Sequence, residues 1–166
     1  MIVLNDFQTS VRRALTEIDK NWESYEGLVI TGTHDPQNTE ELIGLIKEAR
    51  EDGIPYYGEC FGWQLACIEW ARNVMGIKDA TSEEFGQGTF VVKKLPNLNV
   101  GLKNGESYWN NYGVIKEVEK DFTKNMPPNF YVAQYHASYQ SMLGKPHPLI
   151  KSFLEYAHDY TKTMAV

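Results

Sequence analysis

Short apolar segments alternate with helically spaced apolar residues along this chain, and that alternation most limits the folds it can adopt. Segments 1–4, 27–30 and 54–58 have the length and apolar content of buried strands. Apolar residues at helical spacing follow them: Val11, Leu15 and Ile18; Leu42, Ile43, Ile46 and Ala49; Phe61, Leu65, Ile68 and Val74. Strands that alternate with helices predict an α/β fold, a three-layer sandwich whose mainly parallel central sheet has helices on both faces.

Later segments continue the pattern. Strands are predicted at 89–92 and 131–134, and a last helix at 148–160. In the second predicted helix, Asn38 and Glu41 have the spacing of a reciprocal N-terminal cap, and Gly53 has the position of a C-terminal glycine. We therefore expect Asn38 to begin this helix with a side-chain hydrogen bond and Gly53 to end it.

Composition and charge place the chain among single-domain globular proteins. Its 166 residues are 42% hydrophobic, carry a formal net charge of −6 and include no repeat or linker, so one domain over 1–166 is expected. An acidic surface does not attract nucleic acids or anionic membranes, and neither is an expected partner. No apolar run is long enough to span a bilayer, and the first residues lack a secretory pattern, so a cytoplasmic location is predicted.

The two cysteines, Cys60 and Cys67, are not expected to form a disulfide. If both lie on or beside one helix, they are about 10 Å apart along its axis, whereas a disulfide needs Cα atoms within about 7 Å. Neither has another cysteine or a histidine at zinc-site spacing nearby. We therefore expect no metal or other cofactor, and at least one thiol is left to serve as a core residue or a nucleophile.

The segment Gly58-Glu59-Cys60-Phe61-Gly62 lies where a predicted strand passes into a helix, and it is the strongest local sign of chemistry. A nucleophile at such a junction occupies a tight turn with very small neighbours, a requirement that Gly58 and Gly62 meet. The helix that follows directs its N-terminal amides at the sulfur of Cys60, which favours the thiolate. The N–H of Phe61 would point at the oxyanion of an attacked carbonyl. The alternative is an ordinary buried cysteine in a glycine-rich turn.

A nucleophilic cysteine needs a base, and the chain has 4 histidines. His136 directly follows an apolar strand, where a base at the top of a parallel sheet should lie, and His34 is the alternative. His147 lies between two prolines and His158 in the last helix, so both are assigned structural or surface roles. Active groups gather at the carboxyl ends of the strands in such sheets, and three loops have that position: 31–36, 58–62 and 135–141.

Two segments, about 27–85 and 132–157, resemble the glutaminase domain of CTP synthase, a class I glutamine amidotransferase. The run GECFGWQLACIEWARNVMGIKDATSEEF is similar to that family's G-x-C-x-G-x-Q-L-A-x-I-E-x-A-R-N-V followed by G-L-x-x-A-x-S-T-E-F. The run VAQYHASYQSMLGKPHPLIKSFLEYA is similar to its Q-F-H-P-E-x-x-S-x-P stretch and the prolines after it. Residues 86–130 match weakly, and the amidoligase domain of CTP synthase has no counterpart. The resemblance implies a stand-alone glutaminase domain with that family's flavodoxin-like fold.

The resemblance also implies roles for the matching positions. Cys60 would be the nucleophile and His136 the base. The N–H of Phe61 would form one half of the oxyanion hole, and Gly32 and the N–H of Thr33 the other half. Gln64 and Glu84 would contact the glutamine. Of the last two, Glu84 would face the α-ammonium group of the substrate. Cleavage would then run through a thioester on the cysteine.

Three positions depart from the family pattern. Ser138 stands where the family has the carboxylate that orients the histidine; a serine would accept a hydrogen bond from the imidazole without charge, and Glu59 is another candidate. Thr33 replaces a glycine of the oxyanion loop and is less free to adopt positive φ. Asn111 aligns with the family's arginine for the α-carboxylate of glutamine, which predicts weaker binding of free glutamine. Tyr112 beside it is a candidate for lining the substrate pocket.

These features predict a Cys-His hydrolase that cleaves the γ-amide of glutamine or of a related γ-glutamyl amide. The expected partners are this small amide and a separate synthase chain that would accept ammonia. The alternative is a catalytically impaired binding or regulatory module on a glutaminase fold. The intact tight turn at 58–62, the nucleophile elbow, and His136 favour the enzyme. Ser138, Thr33 and Asn111 favour the module.

Overall fold

The computed structural model describes residues 1–6 and 9–166. The elements in chain order are β1 (Ile2–Leu4), α1 (Ser10–Ile18), β2 (Leu28–Ile30), α2 (Thr39–Asp52), β3 (Tyr56–Glu59), α3 (Phe61–Asn73), β4 (Ala80–Ser82), β5 (Thr89–Lys103), β6 (Glu106–Val114), α4 (Lys116–Lys124), β7 (Phe130–Ala133), α5 (Ala137–Gln140) and α6 (Pro148–Met164). Within the described residues, no helix is both long enough and apolar enough to cross a membrane.

Four parallel strands form the central sheet, in the order β1-β2-β3-β7. Helices α2, α3 and α4 cover one face, and α1 and α6 cover the other, so the predicted three-layer α/β sandwich is confirmed. Successive residues of a buried strand point to opposite faces: Tyr56 packs in the core under α2 and α3, and Tyr57 in the core under α1 and α6. This alternation decides which way the side chains at the end of β3 point.

A second sheet, β4-β5-β6, accounts for most of the region that the sequence described least well. Strands β5 and β6 form an antiparallel hairpin in which Lys103 lies opposite Glu106. The turn residues Asn104 and Gly105 have φ values of 52° and 81°. Positive φ at both central positions is typical of the type I′ hairpin turn, for which Asn-Gly is the strongest sequence signal. The strand predicted at 89–92 is therefore only the beginning of a 15-residue strand.

The second helix begins differently from the prediction. Asn38 precedes α2 with φ of 53°, and its side chain makes no capping hydrogen bond, so the predicted cap with Glu41 is wrong. A capping side chain usually reaches the first helical amides from an extended backbone, which this left-handed residue does not have. Gly53 ends the helix with φ of 72°, as predicted.

The carboxyl ends of β2, β3 and β7 meet at one edge of the sheet, and the hairpin strand β6 returns across that edge to contact α3 and α5. Thr33, Cys60 and His136, one from each predicted active loop, line a single cavity there. The sheet order therefore brings the three loops together, as expected for a parallel α/β sheet.

Candidate active site

Cys60 lies in the tight turn between β3 and α3. Its φ of 55° and ψ of −103° form a backbone conformation that residues with side chains rarely adopt. Its N–H donates to the carbonyl of Ala133 at 2.9 Å, and its own carbonyl accepts from the N–H of Gln64 at 3.1 Å. Backbone strain of this kind persists where the surroundings enforce it, and it clusters at functional sites.

Two glycines leave the room that this turn requires. A Cβ on Gly62 would lie 2.1 Å from the carbonyl oxygen of Ile30, and a Cβ on Gly58 would lie 2.7 Å from the hydroxyl of Tyr56. That hydroxyl donates to the carbonyl of Gly62 at 2.7 Å and ties β3 to the start of α3. The elbow is therefore pressed against β2, with no space for a side chain at either glycine.

His136 follows β7 at the same edge of the sheet. Its backbone N–H donates to the carbonyl of Ser107 in the hairpin at 2.7 Å, and its ring stacks on Tyr139 with the centroids 4.5 Å apart. Its Nδ1 lies 3.6 Å from Oε1 of Glu59. Its Nε2 is buried and has no hydrogen-bond partner among the described residues. That nitrogen is left available for a reacting group.

The carboxylate beside His136 belongs to Glu59, which is 1% exposed. The Tyr57 hydroxyl donates to its Oε2 at 2.6 Å, and the Ser138 hydroxyl donates to its Oε1 at 2.6 Å. The Ser138 N–H also donates to Oε2 at 3.2 Å. The predicted contact of Ser138 with the imidazole is wrong: the structure places Ser138 against Glu59, and Glu59 lies beside the ring. Strand alternation explains the change, because Glu59 points to the same face as Tyr57.

This arrangement sets the charge of His136. Burial disfavours the charged ring, but electrostatic interactions with Cys60 and Glu59 outweigh burial and raise the pKa of His136 to about 10. The ring is therefore an imidazolium at neutral pH. A charged imidazole beside a cysteine sulfur is the arrangement of a thiolate–imidazolium pair.

We expect the His136 ring to keep its proton between about pH 5.5 and about pH 8.5, whereas an ordinary histidine titrates near 6.5. Because the folded-state pKa exceeds the unfolded one, the charge stabilises the native state fully below about pH 6.5, and this contribution is lost as the pH rises through about 10. Ring nitrogen shifts in long-range ¹H–¹⁵N spectra measure the protonation state. A ring that titrates near 6.5 would contradict the assigned charge.

Asn110 on β6, which the sequence did not single out, contacts the sulfur. This side chain is 2% exposed, and its Nδ2 donates to Sγ of Cys60 at 3.1 Å and to the carbonyl of Gln134 at 3.2 Å. Asn99 donates to Oδ1 of Asn110 at 3.2 Å and so fixes which way the amide points. The carbonyl of Trp109 lies 3.8 Å from the same sulfur. The hairpin therefore supplies a buried donor that stabilises negative charge on Cys60.

Replacing Asn110 with alanine is expected to slow the alkylation of Cys60 by iodoacetamide by about tenfold to a hundredfold, the value of one hydrogen bond to a charged group. The rate is measured by mass spectrometry at pH 7. Asn97→Ala, an exposed position in the same hairpin, is the matched control and should react like the parent protein. Equal rates for the two variants would show that the amide does not influence the sulfur.

The geometry of the hairpin shows why Asn110 was missed. The Asn-Gly turn sets a register in which Asn99 faces Asn110 and Val100 faces Trp109. Alternation then turns Asn110 inward and leaves Trp109 44% exposed. The turn and the alternation in the sequence predict which side chains share a face, but not that this face covers the thiol.

The predicted oxyanion residues lie beside the thiol. A Cβ on Gly32 would be 2.9 Å from Cε1 of His136 and 3.7 Å from Sγ of Cys60. Phe61 is the first residue of α3, so its N–H has no acceptor within the helix. Among the described residues, neither Gly32 nor Thr33 has a positive φ, so Thr33 adds no backbone strain of the left-handed kind to the loop. Their role as an oxyanion hole stays a prediction.

Two cavities open on Cys60. The first lies on the side of Glu59 and His136, and the second on the side of Gln64 and Glu84. The predicted substrate contacts line the second cavity: Gln64, Glu84, Asn111 and Tyr112. Gln64 is 4% exposed, and its Nε2 donates to the carbonyl of Tyr112 at 3.1 Å. Burial raises the pKa of the half-buried Glu84 carboxyl, which forms no ion pair within the described part of the chain.

The other residues considered for chemistry have different surroundings. His34 is exposed, and its ring lies 5.4 Å from that of Trp109 at the rim of both cavities. His147 accepts a hydrogen bond at the start of α6 and pairs with Glu106 at 2.9 Å. Cys67 is fully buried, and burial raises the pKa of its thiol well above the usual range. None of these three is placed as His136 is, beside Glu59, or as Cys60 is, beside Asn110.

The comparison with known sequences shows the family to which the chain belongs. The family model described as glutamine amidotransferase class-I matches residues 2–156, and the chain belongs to that family. A CTP synthase of Methanoregula boonei is 49% identical over 74 residues, which cover 45% of this chain and 14% of that protein. A CTP synthase of Methanoculleus marisnigri is 30% identical over 212 aligned positions, which cover 93% of this chain and 40% of that protein.

A solved structure shows the same fold. The glutaminase domain of Trypanosoma brucei CTPS, with bound acivicin, matches with a TM-score of 0.77 and 20% sequence identity. The match covers 93% of this chain and 89% of that chain. Where curated relatives match nine-tenths or more of this chain, it spans 35–40% of their length. The described chain is thus a class I glutamine amidotransferase domain related to the glutaminase domain of CTP synthase.

Proposed function

We propose that this protein hydrolyses γ-glutamyl amides, with Cys60 as the nucleophile and His136 as its acid and base. The observation that supports this most directly is the buried pair of Glu59 and His136 beside the strained cysteine. Glu59 lies 3.6 Å from Nδ1 of the ring, while Nε2 has no partner among the described residues. This is the arrangement of a triad in which the third residue orients the base. Family membership makes glutamine the default substrate.

In this mechanism the Cys60 thiolate attacks the γ-carbonyl of a substrate bound in the second cavity. The amides of Phe61 and Thr33 stabilise the oxyanion, and Nε2 of His136 gives its proton to the departing nitrogen. The C–N bond breaks and a γ-glutamyl thioester remains. The same nitrogen then takes a proton from water, the resulting hydroxide attacks the thioester, and glutamate leaves from the regenerated sulfur.

The second cavity supplies the contacts for the glutamyl part. Glu84 offers a half-buried carboxylate to the α-ammonium group. Asn111 and Tyr112 offer uncharged polar groups where the α-carboxylate would lie, which supports a weak affinity for free glutamine. If glutamine is the substrate, we expect a synthase to accept the ammonia. The cytoplasmic location also stays a prediction.

Turnover of glutamine and of a set of γ-glutamyl amides tests the proposal, with glutamate release as the measurement. Cys60→Ala should reduce the rate to background, whereas Cys67→Ala, the matched change of the other buried cysteine, should retain turnover. Absence of glutamate release from every amide, together with no alkylation of Cys60 by a glutamine-like electrophile, would reject the hydrolase.

A second function, a binding module without turnover, is favoured by the partner of the Cys60 sulfur. The sulfur accepts its hydrogen bond from Asn110, whereas Nε2 of His136, which a working base would direct at the sulfur, has no hydrogen-bond partner within the described residues. Such a module would bind glutamine in calorimetry and release no glutamate. The same turnover assay therefore separates the two functions.

A further inference from the structure

The outer part of the β5–β6 hairpin, residues 99–110, lies over Cys60 and is called the distal hairpin below. Its Asn110 donates to Sγ of Cys60 at 3.1 Å, and the carbonyl of Trp109 lies 3.8 Å from the same sulfur. Cys60 is only 8% exposed, and His136 only 7%. The distal hairpin therefore covers the two groups that the proposed reaction uses.

The space left under the distal hairpin is too small for a substrate. The two cavities that open on Cys60 have volumes of about 30 Å³ and about 20 Å³. On this measure a water molecule needs about 10–15 Å³, so each cavity holds about one or two waters, and glutamine is several times larger. Trp109 lines both cavities, and Asn110, Asn111 and Tyr112 line the second. Strand β6 is thus a wall that must move before a substrate can enter.

Strand β5 contains a break in its pairing at which this movement can occur. The register shifts between Lys94 and Asn99, where the four residues 95–98 stand opposite Asn111 alone. Pro96 lies within this excess and has no N–H to donate. Extra residues interrupt the ladder and bend the strand. The distal hairpin is therefore joined to the rest of the sheet through an irregular segment.

The two sides of this break differ in what holds them. Before it, Val91 and Val92 are fully buried in the core. Within 99–110, all of them described residues, Asn110 alone is buried, and Val100 and Leu102 are 52% and 67% exposed. Lifting the distal hairpin therefore removes no apolar side chain from the core. Segments with few buried apolar contacts open at low free energy.

Polar contacts beside the turn hold the distal hairpin down. Both carboxylate oxygens of Glu106 lie 2.9 Å from Nε2 of His147. Nδ1 of that ring accepts the N–H of Leu149 at 3.1 Å, so Nε2 carries the proton and donates it to the carboxylate. The carbonyl of Ser107 accepts the N–H of His136 at 2.7 Å. These bonds join the end of the hairpin to α6 and to the loop after β7.

We propose that the distal hairpin is a lid over Cys60, which lifts about the break at 95–98 to admit substrate and is latched by the pair of Glu106 and His147. The identity of the admitted molecule, a γ-glutamyl amide, rests on the proposed hydrolase, whereas the covering of the sulfur does not. Glu106 and His147 lie outside the reacting groups, so they control access to Cys60 and not the chemical step.

Amide hydrogen exchange measures the lifting directly. The N–H of His136 is released when the carbonyl of Ser107 moves away, whereas the N–H of Cys60 stays bonded to Ala133 within the sheet. We expect Glu106→Ala to speed exchange at His136 by about tenfold or more, the value of a hydrogen bond to a charged group. Glu106→Gln keeps an uncharged acceptor and should have a smaller effect. Exchange at Cys60 should not change, as followed in ¹H–¹⁵N spectra of the full chain in D₂O.

Alkylation measures access to the sulfur. The reagent is a fluorescein-labelled iodoacetamide, which is larger than either cavity, and labelling of Cys60 is followed by mass spectrometry. Glu106→Ala should be labelled about tenfold faster than the parent protein. Glu48→Ala removes an exposed carboxylate from α2 and is the matched control, with no expected change. Tyr108→Ala loosens the lid at a second contact, the ring of Tyr135 at 5.9 Å between centroids, and should also speed labelling.

The outcomes separate the lid from the proposed function. Parent rates of exchange at His136 and of labelling at Cys60, in both Glu106→Ala and Tyr108→Ala, would overturn the lid. Glutamate release by the parent protein would still support the hydrolase. Equal acceleration of exchange at His136 and Cys60 would also overturn the lid, because the whole domain would then be opening. Faster labelling with no glutamate release from any amide would reject the hydrolase and leave the lid.

Discussion

Glu59→Gln is expected to lower kcat for γ-glutamyl amide hydrolysis by about 10⁴-fold, the scale seen when the orienting carboxylate of a catalytic triad becomes an amide. Glu59 lies 3.6 Å from Nδ1 of His136, and that imidazolium interacts with its charge. The glutamine side chain at position 59 has the same shape as glutamate but no charge. Its amide NH₂ would face the hydroxyl groups of Tyr57 and Ser138, which now donate to the carboxylate. The ring would lose both its orientation and part of the interaction that keeps it protonated.

Ser138→Ala is the control for this prediction. Its hydroxyl donates to Oε1 of Glu59 at 2.6 Å, and the Tyr57 hydroxyl and the Ser138 N–H continue to hold the carboxylate when the serine hydroxyl is removed. We expect a loss of kcat of about tenfold, the effect of one net hydrogen bond. The pKa of His136 should fall in Glu59→Gln, measured by the same ring nitrogen shifts. A larger loss in Ser138→Ala than in Glu59→Gln would return the orienting role to the serine.

Gly62→Ala is expected to destabilise the folded protein by about 3 kcal/mol or more, the upper part of the range for overpacked cores. A Cβ at this position would be 2.1 Å from the carbonyl oxygen of Ile30. Both groups belong to backbones held by regular structure, β2 on one side and the first turn of α3 on the other. The helix must therefore move away from the sheet, and the turn at Cys60 moves with it.

Gly44→Ala is the matched control for the glycine prediction. Gly44 lies within α2, and a Cβ there meets nothing within 4 Å. Alanine should stabilise the helix by about 0.8–1 kcal/mol, because glycine is the poorer helix former. Urea unfolding followed by circular dichroism measures both variants. If Gly62→Ala and the parent protein have the same urea midpoint of unfolding, the contact between the elbow and β2 contributes little to the free energy of unfolding.

The elbow illustrates what could be predicted residue by residue. Gly58 and Gly62 flank Cys60 at the spacing of a nucleophile turn, and the structure shows the close approach that excludes side chains at both. The parallel sheet also followed from the pattern, because short apolar runs between amphipathic helices are typical of it. Asn38 shows the opposite case: the spacing of a cap was present, but its left-handed backbone rules out the bond.

The hairpin explains most of what was not predicted. Its polar strands have no strong apolar alternation, and β5 carries exposed apolar residues such as Val100 and Leu102, so a pattern search ends at the first few residues. Asn104 and Gly105 contained the turn, but a turn does not state where its strands dock. That docking places Asn110 on the sulfur and the carbonyl of Ser107 on His136.

The sequence by itself determined the order of strands and helices, the position of the elbow and the family, because these depend on local spacing. Only the tertiary structure decided that Glu59, rather than Ser138, lies against the imidazole of His136. Glu59 and Ser138 are far apart in the chain, yet parallel pairing of β3 with β7 and the side-chain alternation along β3 bring Ser138 against Glu59 and Glu59 beside the ring. Contacts across strands depend on register and face, which residue spacing does not contain. For that reason the acidic neighbour of the cysteine, rather than the serine after the histidine, lies against the imidazole.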